Sequence, residues 1–212
     1  MSVFDIDTPH GPAKAHLHPA EDAAAALVLA HGAGGGVSAP DLLAATEAAG
    51  SLGASVALVE QPYRVAGRRS PAPARQLDAA WIAVVEHLAA GELRGLPLVT
   101  GGRSLGARVA CRTAAATGAI GVICLAFPLL PPARRSASAP PQSRLPELDA
   151  VPVPVLVVQG ERDRFGMPPA APRRAVLRVP GDHGLRTDPD AVAAAIRDWL
   201  PGVIARAPRE AA

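Results

Sequence analysis

The chain has 212 residues, of which 49% are hydrophobic, a formal net charge of +2 and a mean hydropathy of +0.20. That is enough apolar material to bury a full-sized core, expected as one domain over 1–212, and too balanced a charge to grip a nucleic acid by itself. The longest apolar runs, around 23–30 and 119–130, fall far short of the roughly 20 residues of a membrane-spanning helix, so no membrane partner is expected.

In chain order, the opening MSVFDIDTPHGPAKAHLHP lacks the basic-then-apolar order of a signal peptide, which points to a soluble, cytoplasmic protein. Within it VFDID and KAHLH flank Thr8-Pro9-His10-Gly11 and predict an edge hairpin. ALVLA (26–30) reads as a buried strand, Leu42, Leu43 and Thr46 mark a helix closing at Gly50, and ASVALVE (54–60) is the next strand. From Ala74 to Ala90 a helical stripe carries Leu77, Trp81, Val84, Val85 and Leu88 and stops at Gly91. LPLVT (96–100) is a strand, followed after Ser104 by a helix running through Val109 to Gly118, and GVICLAF (121–127) is the next strand.

Prolines 128, 131, 132, 140, 141 and 146 exclude a helical cap between Pro128 and Ala150 and predict a loop or short lid. PVLVVQG (154–160) and AVLRV (175–179) complete the strands. Asp188-Pro189 starts a last helix whose apolar face is Val192, Ile196 and Trp199, with Pro201-Gly202 ending it and a frayed tail beyond a core of about 20–202. Alternating short apolar runs and helical patterns predict an α/β fold in three layers, a mainly parallel sheet of about eight strands with helices on both faces.

Gly102-Arg103-Ser104-Leu105-Gly106 matches G-x-S-x-G between a strand and a helix. With 20 glycines in the chain an ordinary glycine-rich turn would also match. The chemical reading is a nucleophile elbow, a sharp turn that holds the serine hydroxyl outward. Its partners should follow at later strand ends in the order acid, histidine. Asp163 follows strand 154–160 and His183 follows strand 175–179. A neutral serine hydroxyl is a poor nucleophile, so His183 would accept its proton while Asp163 fixes the tautomer and stabilises the imidazolium. Glu161 and Asp149 are the competing acids, the first too early in its turn and the second in the proline-rich loop. The oxyanion donors would be the backbone N–H of Leu105 and that of Ala33 in LAHGAGGG, with Gly34 as the neighbouring alternative.

LAHGAGGG (29–36), EQPYR (60–64), GGRSLGARVA (101–110), AFPLLPP (126–132), VPVLVVQGERDRFG (153–166) and DHG (182–184) together resemble the α/β-hydrolases of the dienelactone-hydrolase-like group. Within it the chain is most similar to the small branch that holds the hydrolase-like subunit three of the NSL acetyltransferase complex and bacterial relatives. The resemblance implies a capless α/β-hydrolase fold and the triad. Dienelactone hydrolases proper carry a cysteine nucleophile where this chain has Ser104, and many relatives have a histidine where it has Leu130.

The remaining polar residues divide between site and scaffold. His16 and His18 share one face of a strand, where a solvated edge outweighs a metal site. His31 is expected to support the oxyanion loop and His87 to lie at a helix surface, while Trp81, Trp199, Cys111 and Cys124 read as core. Arg64, Arg68, Arg69, Arg103, Arg134, Arg135, Arg162 and Arg164 all fall after strands and suggest a basic rim for an anionic substrate, with Arg64 and Arg103 the candidate contacts. An arginine-rich composition, with Lys14 the sole lysine, is the competing explanation.

The expected activity is cleavage of a small-molecule ester or related acyl bond through an acyl-serine, with no metal or organic cofactor, by a monomer or homodimer. The alternatives are a non-catalytic interaction scaffold and acyl transfer or peptidase chemistry on the same triad.

Overall fold

The computed structural model describes residues 1–132 and 142–207. Arg134, Arg135, Pro140 and Pro141 therefore lie outside the described residues, as does the tail from 208. The strands are β1 (Ser2–Ile6), β2 (Ala13–His18), β3 (Ala25–Ala30), β4 (Ala54–Glu60), β5 (Leu98–Arg103), β6 (Gly121–Leu125), β7 (Val155–Gly160) and β8 (Arg174–Val179). The helices are α1 (Pro40–Ser51), α2 (Pro62–Val65), α3 (Ala74–Ala90), α4 (Leu105–Thr113), α5 (Leu145–Asp149) and α6 (Pro189–Ile204).

All eight strands join one sheet in the order β1-β2-β4-β3-β5-β6-β7-β8. The β1–β2 hairpin is antiparallel and docks antiparallel on β4, while every other pairing is parallel. Side chains alternate across a strand. Leu27 and Leu29 of β3 accordingly pack with Leu42 of α1 and Ile196 of α6, whereas Ala26 and Val28 pack with the α3 stripe. That stripe is buried as its spacing requires: Leu77, Trp81, Val84, Val85 and Leu88 are all at most 3% exposed. Each such side chain contributes roughly 1.5–3 kcal/mol relative to exposure. Cys111 and Cys124 are buried in the layer between α4 and the sheet, their thiols 3.4 Å apart.

Several boundaries differ from the sequence reading for identifiable reasons. The strand expected at 96–100 is displaced to Leu98–Arg103, because Gly101 and Gly102 pair with β3 on one side and β6 on the other. The strand expected to reach 127 ends at Leu125, where Ala126 turns to a φ of 52°. Pro201 does not end the last helix, which continues to Ile204. Burial of Leu200 and Val203 against the sheet outweighs the missing hydrogen bond. Leu43 is 46% exposed and lies off the apolar face of α1. Within 128–150 the described residues form the single short helix α5, anchored by buried Leu148, and no cap domain.

Candidate active site

The parallel strands present their C-terminal ends to one edge of the sheet, and four of them supply the site. β5 runs into Ser104, which sits at φ 53° and ψ −103° before α4 begins at Leu105. That conformation is sparsely populated for a residue with a Cβ and costs on the order of 1–3 kcal/mol. The flanking glycines permit the turn: a Cβ on Gly102 would lie 2.5 Å from the Ala30 carbonyl oxygen, and one on Gly106 would collide with that same oxygen. Gly106→Ala should therefore lower stability by about 2 kcal/mol, read from the denaturation midpoint. An unchanged midpoint would mean that β3 and α4 are not held in contact there.

His183 stands between the other two members. Its Nε2 lies 2.9 Å from Ser104 Oγ and its Nδ1 2.8 Å from Asp163 Oδ2. A carboxylate only accepts, so Nδ1 carries the proton and Nε2 is free to accept from the serine hydroxyl. The Asp163 side chain is fully buried. Its Oδ1 accepts from the Phe165 N–H at 2.9 Å, and its Oδ2 also accepts from Gln159 Nε2 at 2.8 Å. That amide nitrogen faces two further acceptors, the carbonyls of Phe127 and Gly166, each at 3.0 Å, which fixes its orientation. The Phe165 ring meets the imidazole edge-on, centroids 4.5 Å apart. Glu161 is exposed and Asp149 pairs with Arg174 at 2.9 Å, so neither competing acid joins the site.

The loop after β3 is oriented by its hydrogen bonds. His31 Nε2 accepts from the Gln61 N–H at 3.1 Å, so Nδ1 carries the proton and donates to the Gly32 carbonyl at 2.8 Å. In a trans peptide the N–H points opposite to the C=O, so anchoring Gly32 oxygen aims the Ala33 N–H the other way. Tyr63 donates its hydroxyl to the Ala33 carbonyl at 3.1 Å and orients the Gly34 N–H by the same rule. Across the cavity, Leu105 opens α4 with an N–H that has no helical carbonyl to serve.

Burial holds the pKa of His31 below its ordinary 6.5. A histidine depressed in the folded state contributes stability fully above its unfolded pKa and loses it as pH falls below about 6.5. The thermal midpoint should therefore drop as pH is lowered from about 7.5 to 5.5, and less steeply in His31→Asn; equal slopes would contradict a neutral, buried imidazole.

Ser104 and His183 border a cavity of about 320 Å³ that also meets Ala33, Gly34, Leu105 and Phe165. This lies at the small end of ligand sites. Of the two arginines expected to meet substrate, Arg103 lines the cavity but is engaged from within. Its Nε lies 2.9 Å from Asp41 Oδ2, an ion pair without good hydrogen-bond alignment, and its Nη2 donates to the His183 carbonyl at 3.1 Å. Arg64 is not among the cavity residues, whereas Arg108, Arg144 and Arg164 are. His16 pairs with Glu60 at 2.7 Å, and β2 is the second strand of the sheet rather than its edge.

Gln159, Asp41 and Phe165 were not visible as site residues in the sequence. Gln159 lies inside a strand, Asp41 resembles any acid in a first helical turn, and the part each plays depends on a partner distant in the chain or on the turn geometry.

A family model of the alpha/beta hydrolase domain matches residues 23–177, more than half of the chain. The chain belongs to the alpha/beta hydrolase domain family. The matched span of this hydrolase includes Ser104 and Asp163 and ends before His183. No curated protein matches it by sequence.

Among solved structures the hydrolase is similar to XC6422 of Xanthomonas campestris, an a/b serine hydrolase without lid, at 22% identity and a TM-score of 0.70, covering 94% of this chain and 95% of that one. It is similar to Est1E of Butyrivibrio proteoclasticus at 15% identity and a TM-score of 0.77, covering 97% and 100%. The dienelactone hydrolase of Anabaena variabilis gives 15% identity and a TM-score of 0.75, covering 95% and 96%. At these identities the likeness is one of fold.

Proposed function

We propose that this single-domain hydrolase cleaves small carboxylic esters through an acyl-Ser104 intermediate. The observation that carries the reading is the unbroken relay from Ser104 Oγ to His183 Nε2 at 2.9 Å and from His183 Nδ1 to Asp163 at 2.8 Å. As Ser104 attacks the ester carbonyl, its proton passes to Nε2 and the imidazolium is stabilised by the Asp163 carboxylate. Negative charge gathers on the former carbonyl oxygen, which the N–H groups of Ala33 and Leu105 receive, with Gly34 adjacent; one such donor is worth about 3 kcal/mol in the transition state. Collapse expels the alcohol, protonated by His183. A water activated by the same imidazole then releases the acid and restores Ser104.

Two fold neighbours support an ester or lactone as the first substrate class, one named a dienelactone hydrolase and the other, Est1E, solved with ferulic acid bound. The reading assigns no metal or organic cofactor, a cytoplasmic setting and a monomer or homodimer.

A fluorophosphonate probe should label the protein at one site, mapped by mass spectrometry to Ser104, and labelling should vanish in Ser104→Ala. Folded protein that resists the probe would overturn the reading in favour of an interaction scaffold, the role suggested by the resemblance to an acetyltransferase-complex subunit. Product analysis with competing alcohols and amines separates hydrolysis from acyl transfer, and peptide substrates test the amide alternative.

A further inference from the structure

Resting on the reading of Ser104 as nucleophile, we infer that the substrate carries a carboxylate, received in the Ser104 cavity by Arg144 and Arg164. Among the described residues, four arginines line that cavity: Arg103, Arg108, Arg144 and Arg164. Two are already answered. Asp41 lies 2.9 Å from Arg103, and both oxygens of Glu147 accept from Arg108, at 2.6 and 2.9 Å. The neighbouring Asp78 is taken up by Arg112 at 2.6 and 2.9 Å.

Arg144 and Arg164 are left over. Arg144 is half-buried and its side chain donates to the Pro128 carbonyl at 3.2 Å; Arg164 stacks over the Phe165 ring, 4.8 Å from its centroid. Neither has a carboxylate within ion-pair distance among the described residues. The chain between Pro132 and Arg144 contains two arginines and no Asp or Glu, so it has no carboxylate to offer.

A half-buried guanidinium without a counter-ion has lost part of its hydration, and an arriving carboxylate offsets that loss while accepting a two-pronged hydrogen bond. Burial pulls the pKa of Arg144 below its ordinary value, and the nearby cation of Arg108 adds to this; Glu147 opposes the fall and Arg112 reinforces it. Leu105, Pro128 and Phe165 add apolar surface to the lining of the same cavity. With a volume near 320 Å³, the fit is to a short-chain dicarboxylate half-ester.

The test uses two p-nitrophenyl esters of glutaric acid, identical except that the far carboxyl is free in one and methylated in the other. Binding is measured on full-length Ser104→Ala protein, in which turnover of either ester is slowed about 10⁴-fold and is negligible over a binding measurement. The free acid should bind at least about tenfold more tightly, and the preference should shrink as salt is raised. In the same background Arg144→Gln should remove most of the preference and Arg164→Gln a smaller part, since Arg164 is exposed. Comparing the two esters on one variant cancels any general loss of fold, and Arg144→Lys should recover part of the preference.

Equal affinity for the two esters, no binding of either, or a preference that survives both glutamine variants would overturn the inference. Failure of the nucleophile reading shows separately, as absent fluorophosphonate labelling, and leaves the binding comparison intact.

Discussion

Ester hydrolysis by Ser104→Ala should fall about 10⁴-fold or more, His183→Ala should fall by a similar factor, and the double variant should lose little beyond either one. The expectation of non-additivity follows from the geometry. Ser104 and His183 share one proton across 2.9 Å, so removing either abolishes the same step. Residual hydrolysis should persist, because the backbone donors and the cavity survive the substitutions. Additive losses would mean that the two side chains act in different steps, which the relay does not allow.

A second readout tests the turn itself. Ser104 stands at a positive φ of 53° that glycine adopts without strain, so Ser104→Gly should be at least as stable as Ser104→Ala despite the flexibility of glycine. A clearly lower midpoint for the glycine variant would show that the elbow is not strained.

Arg103→Met should destabilise the protein by about 3 kcal/mol, and Asp41→Asn added to it should recover part of the loss. The reason lies in the burial of the pair, Arg103 at 16% and Asp41 at 0% side-chain exposure. Burial already raises the pKa of the Asp41 carboxyl from its ordinary 3.8, and Arg103 is the largest influence opposing that rise. Removing the guanidinium raises it further.

An acid with a raised folded pKa holds its proton in the fold while the unfolded chain gives it up. Stability then declines as pH climbs from about 3.8 through the folded value. The deficit of Arg103→Met should therefore be greater at pH 8 than near pH 5, measured by denaturant titration, and a pH-independent deficit would rule out an unpaired Asp41 as its source. Because Arg103 Nη2 also holds the His183 carbonyl at 3.1 Å, kcat should fall more than KM rises, and Arg103→Lys should restore stability better than kcat. A change confined to KM would instead return Arg103 to the role of a substrate contact.

Strands and helices were legible because their signals are local. The α3 stripe over Ala74–Ala90 is bounded in the structure where its spacing places it, and Asp188 accepts from the Ala191 N–H at 2.9 Å as an N-cap should. The end of α6 was not legible, since whether Pro201 stops a helix depends on what Leu200 and Val203 pack against. Arginine was the harder case. A guanidinium reads the same in sequence whether it meets a buried acid or open solvent, so the expected rim held Arg64 and left out Arg108 and Arg144.

By itself, then, the order of residues determined the alternating α/β plan, the serine between its two glycines, and the acid and histidine after later strands, because periodicity and turn chemistry act over a few neighbouring residues. Only the tertiary structure decided that Gln159 holds Asp163, that Asp41 engages Arg103, and that Arg144 and Arg164 face the cavity without a carboxylate among the described residues. Asp41 and Arg103 are far apart along the chain, the Gln159–Asp163 contact depends on the turn after β7, and the two arginines face a shared space; Coulomb attraction and burial act on distance in space, which a linear sequence does not record.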